Sequence, residues 1–248
     1  MFDVTEVLPT PPWKKPRRPA APSREPLTAD KIVDAALKVL DTEGLDAVSM
    51  RRVADELHTG AASLYAHVAN KEELLDLVRE RVLSEVRLPE PDPARWQDQI
   101  RELAFEIQRA HAQHRDIARL SLGNIPVGYH ALRVGECMLA IMLAGGVPSN
   151  VAALATDRLS LYIAADSYEG ALIVSRYKLD SPEASEHFQA HLSEIHEYYK
   201  TLPQDRFPSL RQHVDELIQA DSDERFAFGL DMLIRSLETY TLKPSDRS

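Results

Sequence analysis

The side chains with the clearest chemical potential crowd into one short window. Ser49, Arg51 and Arg52 come first, then the small run Gly60, Ala61, Ala62 and Ser63, then Tyr65, His67 and Lys71. Guanidiniums, an ammonium, a phenol, an imidazole and hydroxyls are donors suited to oxygen anions and base edges. Arginine's fork matches O6 and N7 of guanine, and the other donors match phosphate oxygens. The Gly-Ala-Ala-Ser run has almost no reach of its own. A helix that begins with it can bring its backbone close to a surface, and alanine methyls can touch thymine methyls. Each residue alone has a plainer reading, Tyr65 as a core aromatic and the arginines as solvated charge. Taken together at this spacing they describe a nucleic-acid-facing surface.

Such a surface needs helices behind it. "TADKIVDAALKVLDTEG" starts at Thr28, a good N-cap, and repeats Ile32, Ala35, Ala36, Val39 and Leu40 at helical spacing until Gly44 stops it. Ser49 caps a short helix, "MRRVADEL", and "GAASLYAHV" reads as a third helix after a tight turn. Val53, Ala54 and Leu57 can then meet Leu64 and Val68, and His58 falls where the turn needs positive φ. Asn70 opens a fourth helix with Glu73 at the third position, running to about Val86 through Leu74, Leu75, Val78 and Val82. Two short helices joined by a tight turn make a helix-turn-helix, whose second helix enters the major groove N-terminus first. That terminus favours phosphate. Lys71 sits in the first turn of the fourth helix, against the helix dipole, and a nearby phosphate would give it a reason to be there.

Bulk charge argues the other way. The 248-residue chain carries net charge −10, and residues 27–86 hold seven Lys/Arg against twelve Asp/Glu. Placement of the basic groups therefore has to carry any nucleic-acid contact. Residues 1–26 hold seven of the sixteen prolines and the basic patch "KKPRR". They read as a disordered arm, either a solvated tail or an extension that reaches phosphates or the minor groove. The single cysteine, Cys137, permits no internal disulfide and points to a reducing, cytoplasmic setting. No apolar run approaches the ~18–20 residues a membrane span needs. The N-terminus lacks the apolar core of a secretory signal.

The prolines of "RLPEPDP" mark a boundary, giving an arm (1–26), a helix-turn-helix unit with a connecting helix (27–86) and a second domain (87–248). Beyond the boundary helices are expected at about 94–114, 116–122, 128–144, 148–177, 182–202, 209–219 and 222–240. No strand pattern or fixed repeat appears, so the fold class is all-α. Neither a GxSxG elbow, a phosphate loop, HExxH nor a convincing carboxylate pair is present, and no enzyme activity or catalytic residue is expected.

The stretch "GLDAVSMRRVADEL…ASLYAHVANKEELL" resembles the DNA-binding domain of the TetR family of bacterial regulators. The resemblance covers residues 28–86 and implies DNA contacts at Ser49, Arg51, Ala61, Ala62, Ser63, Tyr65, His67 and Lys71. His58 stands where the family usually has the turn glycine. Residues 96–126 are similar to the ligand domain of tetracycline repressors, sharing Trp-Gln-Asp at the start, Arg115-Asp116, and Leu122-Gly123 before Pro126. The implied assembly is a homodimer through helices at about 148–177 and 222–240, reading a double-stranded palindromic operator. In those repressors a histidine helps hold a drug-bound magnesium ion; Ser121 stands there, and Leu103 and Cys137 occupy polar drug-contact positions. Neither tetracycline nor magnesium is carried over, and no cofactor or metal is expected.

A small, largely apolar effector is expected instead, lined by Leu103, Ile107, Ser121, Asn124, Ile125, Cys137, Met138, Ile141 and Tyr162. Asp166 and Glu169 fall in an apolar stretch and can face the pocket, the partner subunit or water, the last two together being favoured over the pocket. His187, His191 and Glu194 share one helix face, which reads as solvated polar surface rather than a metal site. The expected function is a ligand-responsive repressor released from DNA by its effector. The alternatives are a dimeric adaptor without DNA contacts, or a regulator whose ligand promotes DNA binding.

Overall fold

The structure, a computed structural model, describes residues 26–123, 125–179, 181–219 and 222–241. All of the arm except Pro26, and Asn124, lie outside the described residues. Among the described residues there is no strand, and no helix is long and apolar enough to cross a membrane.

The first helix, α1 (Ala29–Glu43), starts where Thr28 Oγ1 accepts the Lys31 N–H at 3.3 Å and buries Ile32, Ala35, Ala36, Val39 and Leu40 along one face. Gly44, at φ 89°, donates its N–H to Leu40 O and ends it. A 3-10 turn, Leu45–Ala47, leads to α2 (Met50–Glu56), capped by Ser49 Oγ accepting from Arg52 N at 3.1 Å. The turn after α2 is a Schellman closure: Thr59 N–H reaches Ala54 O and His58 N–H reaches Asp55 O, with His58 at φ 52°. The expectation of positive φ at His58 therefore holds without glycine.

Next comes α3 (Ala61–Leu64), shorter than the expected helix over 60–68. Both His67 N–H and Val68 N–H turn onto Leu64 O at 2.9 Å, which tightens the chain and lets Leu64 and Val68 both bury. Asn70 Oδ1 caps α4 (Lys71–Leu83) by accepting from Glu73 N at 2.8 Å. The Glu73 carboxylate reaches back to Ala69 N, one residue before the usual capping-box partner. The helix ends at Leu83, short of Val86, because Ser84 and the following residues close into turns.

The remaining helices are α5 (Trp96–Ala112), α6 (Ile117–Ser121), α7 (Tyr129–Ala144), α8 (Ser149–Tyr177), α9 (Pro182–Lys200), α10 (Pro208–Gln212), α11 (Val214–Gln219) and α12 (Ser222–Glu238). The single helix expected over 209–219 is two, broken at His213, whose φ −113° and ψ 28° leave the helical region. Helices α5, α7, α8 and α12 share a core built on Ile100, Leu103, Met138, Ile141, Leu159, Phe226 and Ile234. That core is continuous with the one behind α1–α4. Helix α4 is wedged between the two halves, packing on α1 on one side and on α6 and α7 on the other.

Ionic and hydrogen-bonded joints cross this seam. The Asp41 carboxylate meets His114 Nδ1 at 3.0 Å and accepts Arg115 N–H at 3.1 Å. Asp116 Oδ2 accepts Leu45 N–H at 3.0 Å, and Arg119 pairs with Asp46 at 3.1 Å. Glu80 of α4 accepts from His130 N at 2.6 Å and Ala131 N at 3.1 Å, placing a carboxylate on the N-terminus of α7. Gly128 permits that approach: a Cβ there would lie 2.2 Å from the Glu80 carboxyl carbon.

Candidate nucleic-acid interface and effector clefts

Most of the expected contact residues share one exposed surface around the start of α3. Arg51, Gly60, Ala62, Ser63, Tyr65 and His67 are exposed, while Ser49, Ala61 and Lys71 are half-buried. Tyr65 is 55% exposed, so it is no core aromatic; Leu64 and Val68 fill the interior beside it. Among the described residues, the Arg51, Tyr65, His67 and Lys71 side chains have no hydrogen bond or ion pair to the protein. Ser63 Oγ accepts from Thr59 Oγ1 at 3.3 Å. A Cβ added at Gly60 would meet no atom within 4 Å, so internal packing does not call for glycine there. The bare start of α3 is open to a close-approaching surface.

Arg52 is arranged differently from Arg51. Its guanidinium bonds Glu43 at 2.6 Å and Glu56 at 2.8 Å, holding the end of α1 against α2. Hydrogen bonding to Glu43 first, and to Glu56, holds its charge still more firmly than usual, and Glu56 is held below the ordinary carboxylate range by Lys38 and then Arg52. A guanidinium engaged by two carboxylates is a brace for the helices that carry the surface, not a free fork for a base.

Among the described residues, the expected effector residues fall in different settings. Leu103, Ile107, Met138 and Ile141 are buried in the common core. Ser121 is half-buried at the end of α6, and Ile125 is 79% exposed. Cys137 Sγ lies 3.5 Å from Pro89 O, and burial raises its thiol pKa. Tyr162 is a strut rather than a lining residue: its hydroxyl donates to Phe226 O at 2.8 Å, its ring stacks on Phe226, and a Cβ at Gly229 would collide with it. Leu103 borders a cleft, a space of about 530 Å³ beside Arg87, Pro89, Arg101 and Phe105.

A larger cleft of about 1030 Å³ opens on the adjoining face of α5, between α5, α8 and the loop that joins α1's Asp41. Its lining mixes Phe105, Ala112 and Val174 with Gln108, His111 and Asp166, so it is more polar than the expected apolar pocket. The period-3.6 reading favoured the most apolar stripe of α5, but that stripe is consumed by core packing, and the next stripe faces the open space. Asp166 also departs from expectation. It is half-buried and bonded by Gln108 Nε2 at 3.1 Å, and burial raises its pKa. Glu169 does face water, 3.2 Å from Arg225. His191 reaches Glu194 at 3.7 Å on an exposed face, and among the described residues no group of three ligands could hold a metal ion.

Comparison with known proteins bears directly on both halves. Residues 32–78 match the family described as bacterial regulatory proteins, tetR family, and residues 88–241 match the tetracyclin repressor-like C-terminal domain. The structure of the Streptomyces coelicolor TetR family protein ActR in complex with actinorhodin superposes with a TM-score of 0.79. It is 40% identical, covering 88% of this chain and 98% of that one. The HTH-type transcriptional repressor DrrR1 of Streptomyces coeruleorubidus is 29% identical over 91% of this chain and 83% of its own length. An HTH-type transcriptional regulator of Saccharopolyspora erythraea is 37% identical over 58% of this chain, which spans 60% of that relative's length. With the helix-turn-helix in place and the C-terminal match spanning more than half of its residues, the chain belongs to the TetR family of bacterial regulatory proteins.

Proposed function

We propose that the protein is a ligand-responsive transcriptional repressor that binds a palindromic DNA operator as a homodimer and is released by a small effector. The observation that carries this reading is the set of unpaired donors, Arg51, Tyr65, His67 and Lys71, around the uncovered start of α3. In this reading Arg51 reads a guanine edge, Ser49 both caps α2 and meets phosphate, and Tyr65, His67 and Lys71 hold flanking phosphates. Ala61, Ala62 and Ser63 let the helix sit deep in the groove. Arg52 acts through its brace on α1 and α2. The acidic remainder of the chain keeps non-specific affinity low, since that affinity comes from phosphate neutralisation.

The second subunit joins at α8 and α12 in this proposal. Helix α12 buries Phe226, Leu230, Ile234 and Leu237 on one stripe, yet leaves Phe228 and Met232 exposed on another. Leu154, Leu161 and Leu172 of α8 are exposed as well. Apolar residues on two faces of one helix favour burial on two sides. Two recognition helices about one DNA turn apart then read a palindrome. An effector that prefers another separation of those helices shifts the population off DNA by its differential affinity. The crystallised complex of ActR with actinorhodin supports a small-molecule effector. Helix α4, tied to α7 through Glu80, is the lever between the halves.

The test is fluorescence anisotropy of the purified protein on labelled DNA from upstream of its own gene, across a salt series. Sequence-selective binding that weakens with salt and saturates at two subunits per site, or a multiple of two, is expected. Equal binding to random DNA, or none to any fragment in a genome-wide selection, would overturn the proposal.

A further inference from the structure

We propose that the basic cluster Lys14, Lys15, Arg17 and Arg18 clamps the phosphates of the DNA flanking the half-site that α3 reads. The proposal adds a second DNA-contacting segment to the regulator reading and rests on that reading for its operator.

The helix-turn-helix unit is short of available cations. Residues 27–86 contain seven Lys/Arg against twelve Asp/Glu. Most of the seven are engaged inside the fold. Lys38 pairs with Glu56 at 2.6 Å, and Arg52 is shared by Glu43 and Glu56. Arg81 bonds Asp30 at 3.2 Å and Asp34 at 3.0 Å. Lys31 Nζ donates to Pro26 O at 3.1 Å. Arg79 is only 4% exposed and lies beside Asp76. Arg51 and Lys71 remain for DNA, and Arg51 is assigned to a guanine edge. One ammonium per subunit is a small electrostatic term, because affinity grows with each phosphate neutralised and each counterion released. The surrounding carboxylates work against even that.

The missing charge lies immediately upstream. Residues 1–26 carry five Lys/Arg, four of them between Lys14 and Arg18, against three Asp/Glu. Two of the four are lysines, point charges that suit phosphate oxygens better than the fixed geometry of a base edge. Residues 1–26 contain no Asn or Gln, the side chains that pair with adenine edges. This chemistry fits the backbone of DNA rather than its sequence.

The point of attachment puts the cluster within reach. The Thr28 cap and the bond from Lys31 to Pro26 fix where the arm leaves the fold, at the start of α1. Arg81 ties that start to α4 through Asp30 and Asp34. Lys71 opens the same helix ten residues earlier, a distance of about 15 Å at 1.5 Å per residue. A proline-rich chain spans about 3.1 Å per residue, so the eight residues from Pro26 back to Arg18 have a reach of about 25 Å. That exceeds the span to Lys71 and carries the cluster onto the neighbouring backbone. Pro16, Pro19 and Pro22 restrict the free chain, so less entropy is lost when it binds.

The test compares full-length wild type with a variant carrying Lys14→Gln, Lys15→Gln, Arg17→Gln and Arg18→Gln. Anisotropy is read across a salt series on the labelled fragment from upstream of its own gene, or on one recovered by genome-wide selection. The plot of log affinity against log salt should be shallower for the variant by about 3–7, for four to eight lost phosphate contacts per dimer at roughly 0.9 each. Affinity at about 0.1 M salt should fall tenfold or more. Shortening the fragment to its two half-sites should weaken wild type and leave the variant unchanged. Arg17→Lys with Arg18→Lys should keep the wild-type slope. Equal slopes for wild type and the glutamine variant would overturn the clamp. So would a lysine variant as weak as the glutamine one, since that result requires guanidinium-specific reading of the minor groove. Matching melting temperatures show that the variants differ in contacts and not in folding. Selective wild-type binding with equal slopes removes the clamp and leaves the regulator reading standing, whereas wild type that selects no DNA removes both.

Discussion

The surface around α3 and the seam between α1 and α6 treat polar side chains in opposite ways. At the surface, Arg51, Tyr65, His67 and Lys71 are left without protein partners. At the seam, Asp41, Asp46, Asp116 and Arg119 are each engaged, and Asp116 satisfies a backbone N–H directly. Groups that must meet a partner are kept unsatisfied in water, where waiting costs little. Groups that transmit position are satisfied internally, where an unpaired atom would be costly. Arg51 and Arg52 show the contrast between neighbours in sequence: one free, the other clamped by Glu43 and Glu56.

The largest effect should come from attacking the free set. Arg51→Ala with Tyr65→Ala removes one guanine contact and one phosphate contact, for a loss of about 3 kcal/mol or roughly a hundredfold in operator affinity. The melting temperature should hardly change. Arg52→Ala should do the reverse, lowering stability while costing less DNA affinity than Arg51→Ala. Anisotropy and thermal melts on the same preparations test the pair, and equal DNA defects for Arg51→Ala and Arg52→Ala would erase the distinction.

The next effect belongs to His111, which is unpaired like the DNA-facing donors but buried like the seam. It lies in the last turn of α5, where the helix dipole favours a cation by under about 1 kcal/mol. Desolvation wins and lowers its pKa to about 4 from an unfolded value of 6.5. The unfolded chain then binds the proton first, so this contribution is fully present above pH 6.5 and is lost as pH falls toward 4. The expected loss over that window is about 3 kcal/mol at most, at roughly 1.4 kcal/mol per pH unit. Urea titrations of wild type and His111→Leu should differ in pH slope, and parallel curves would rule out the buried neutral ring.

Asp116→Ala sharpens the comparison from the seam side. It leaves Leu45 N–H without its partner and keeps a residue with a Cβ at φ 58°. A stability loss of about 1–2 kcal/mol is expected from the part-buried donor. Operator affinity of the folded fraction should fall much less than for the Arg51 and Tyr65 pair. A stability loss near zero in urea would mean that water replaces the carboxylate at no cost.

What was legible beforehand divides along the same line. The caps at Thr28, Ser49 and Asn70, the stop at Gly44 and the turn at His58 depend on residues a few positions apart, and the structure forms all of them. The larger cleft depends on which stripe of α5 meets α8, more than fifty residues away in sequence. Apolar periodicity identifies the stripe that packs, and so it pointed to Leu103 and Ile107 rather than to Phe105, Gln108 and His111. Asp166 was visible as an acid in an apolar stretch, but only the partner across the gap, Gln108, reveals that it faces inward. The break at His213 was equally hidden, because Ser209 to Gln219 contains no glycine or proline to mark it.

The smallest expected effect lies in the turn that carries the free set. His58 sits at φ 52°, where a β-carbon costs roughly 1 kcal/mol and glycine pays no steric penalty. Glycine also loses more freedom on folding, which offsets part of that gain. His58→Gly should therefore stabilise the protein by less than about 1 kcal/mol and leave the Schellman bonds from Thr59 and His58 intact. If DNA affinity is unchanged while stability rises, the turn only sets the angle between α2 and α3. If affinity falls while stability rises, the imidazole itself belongs to the DNA-facing surface, and that surface extends back across the turn from α3.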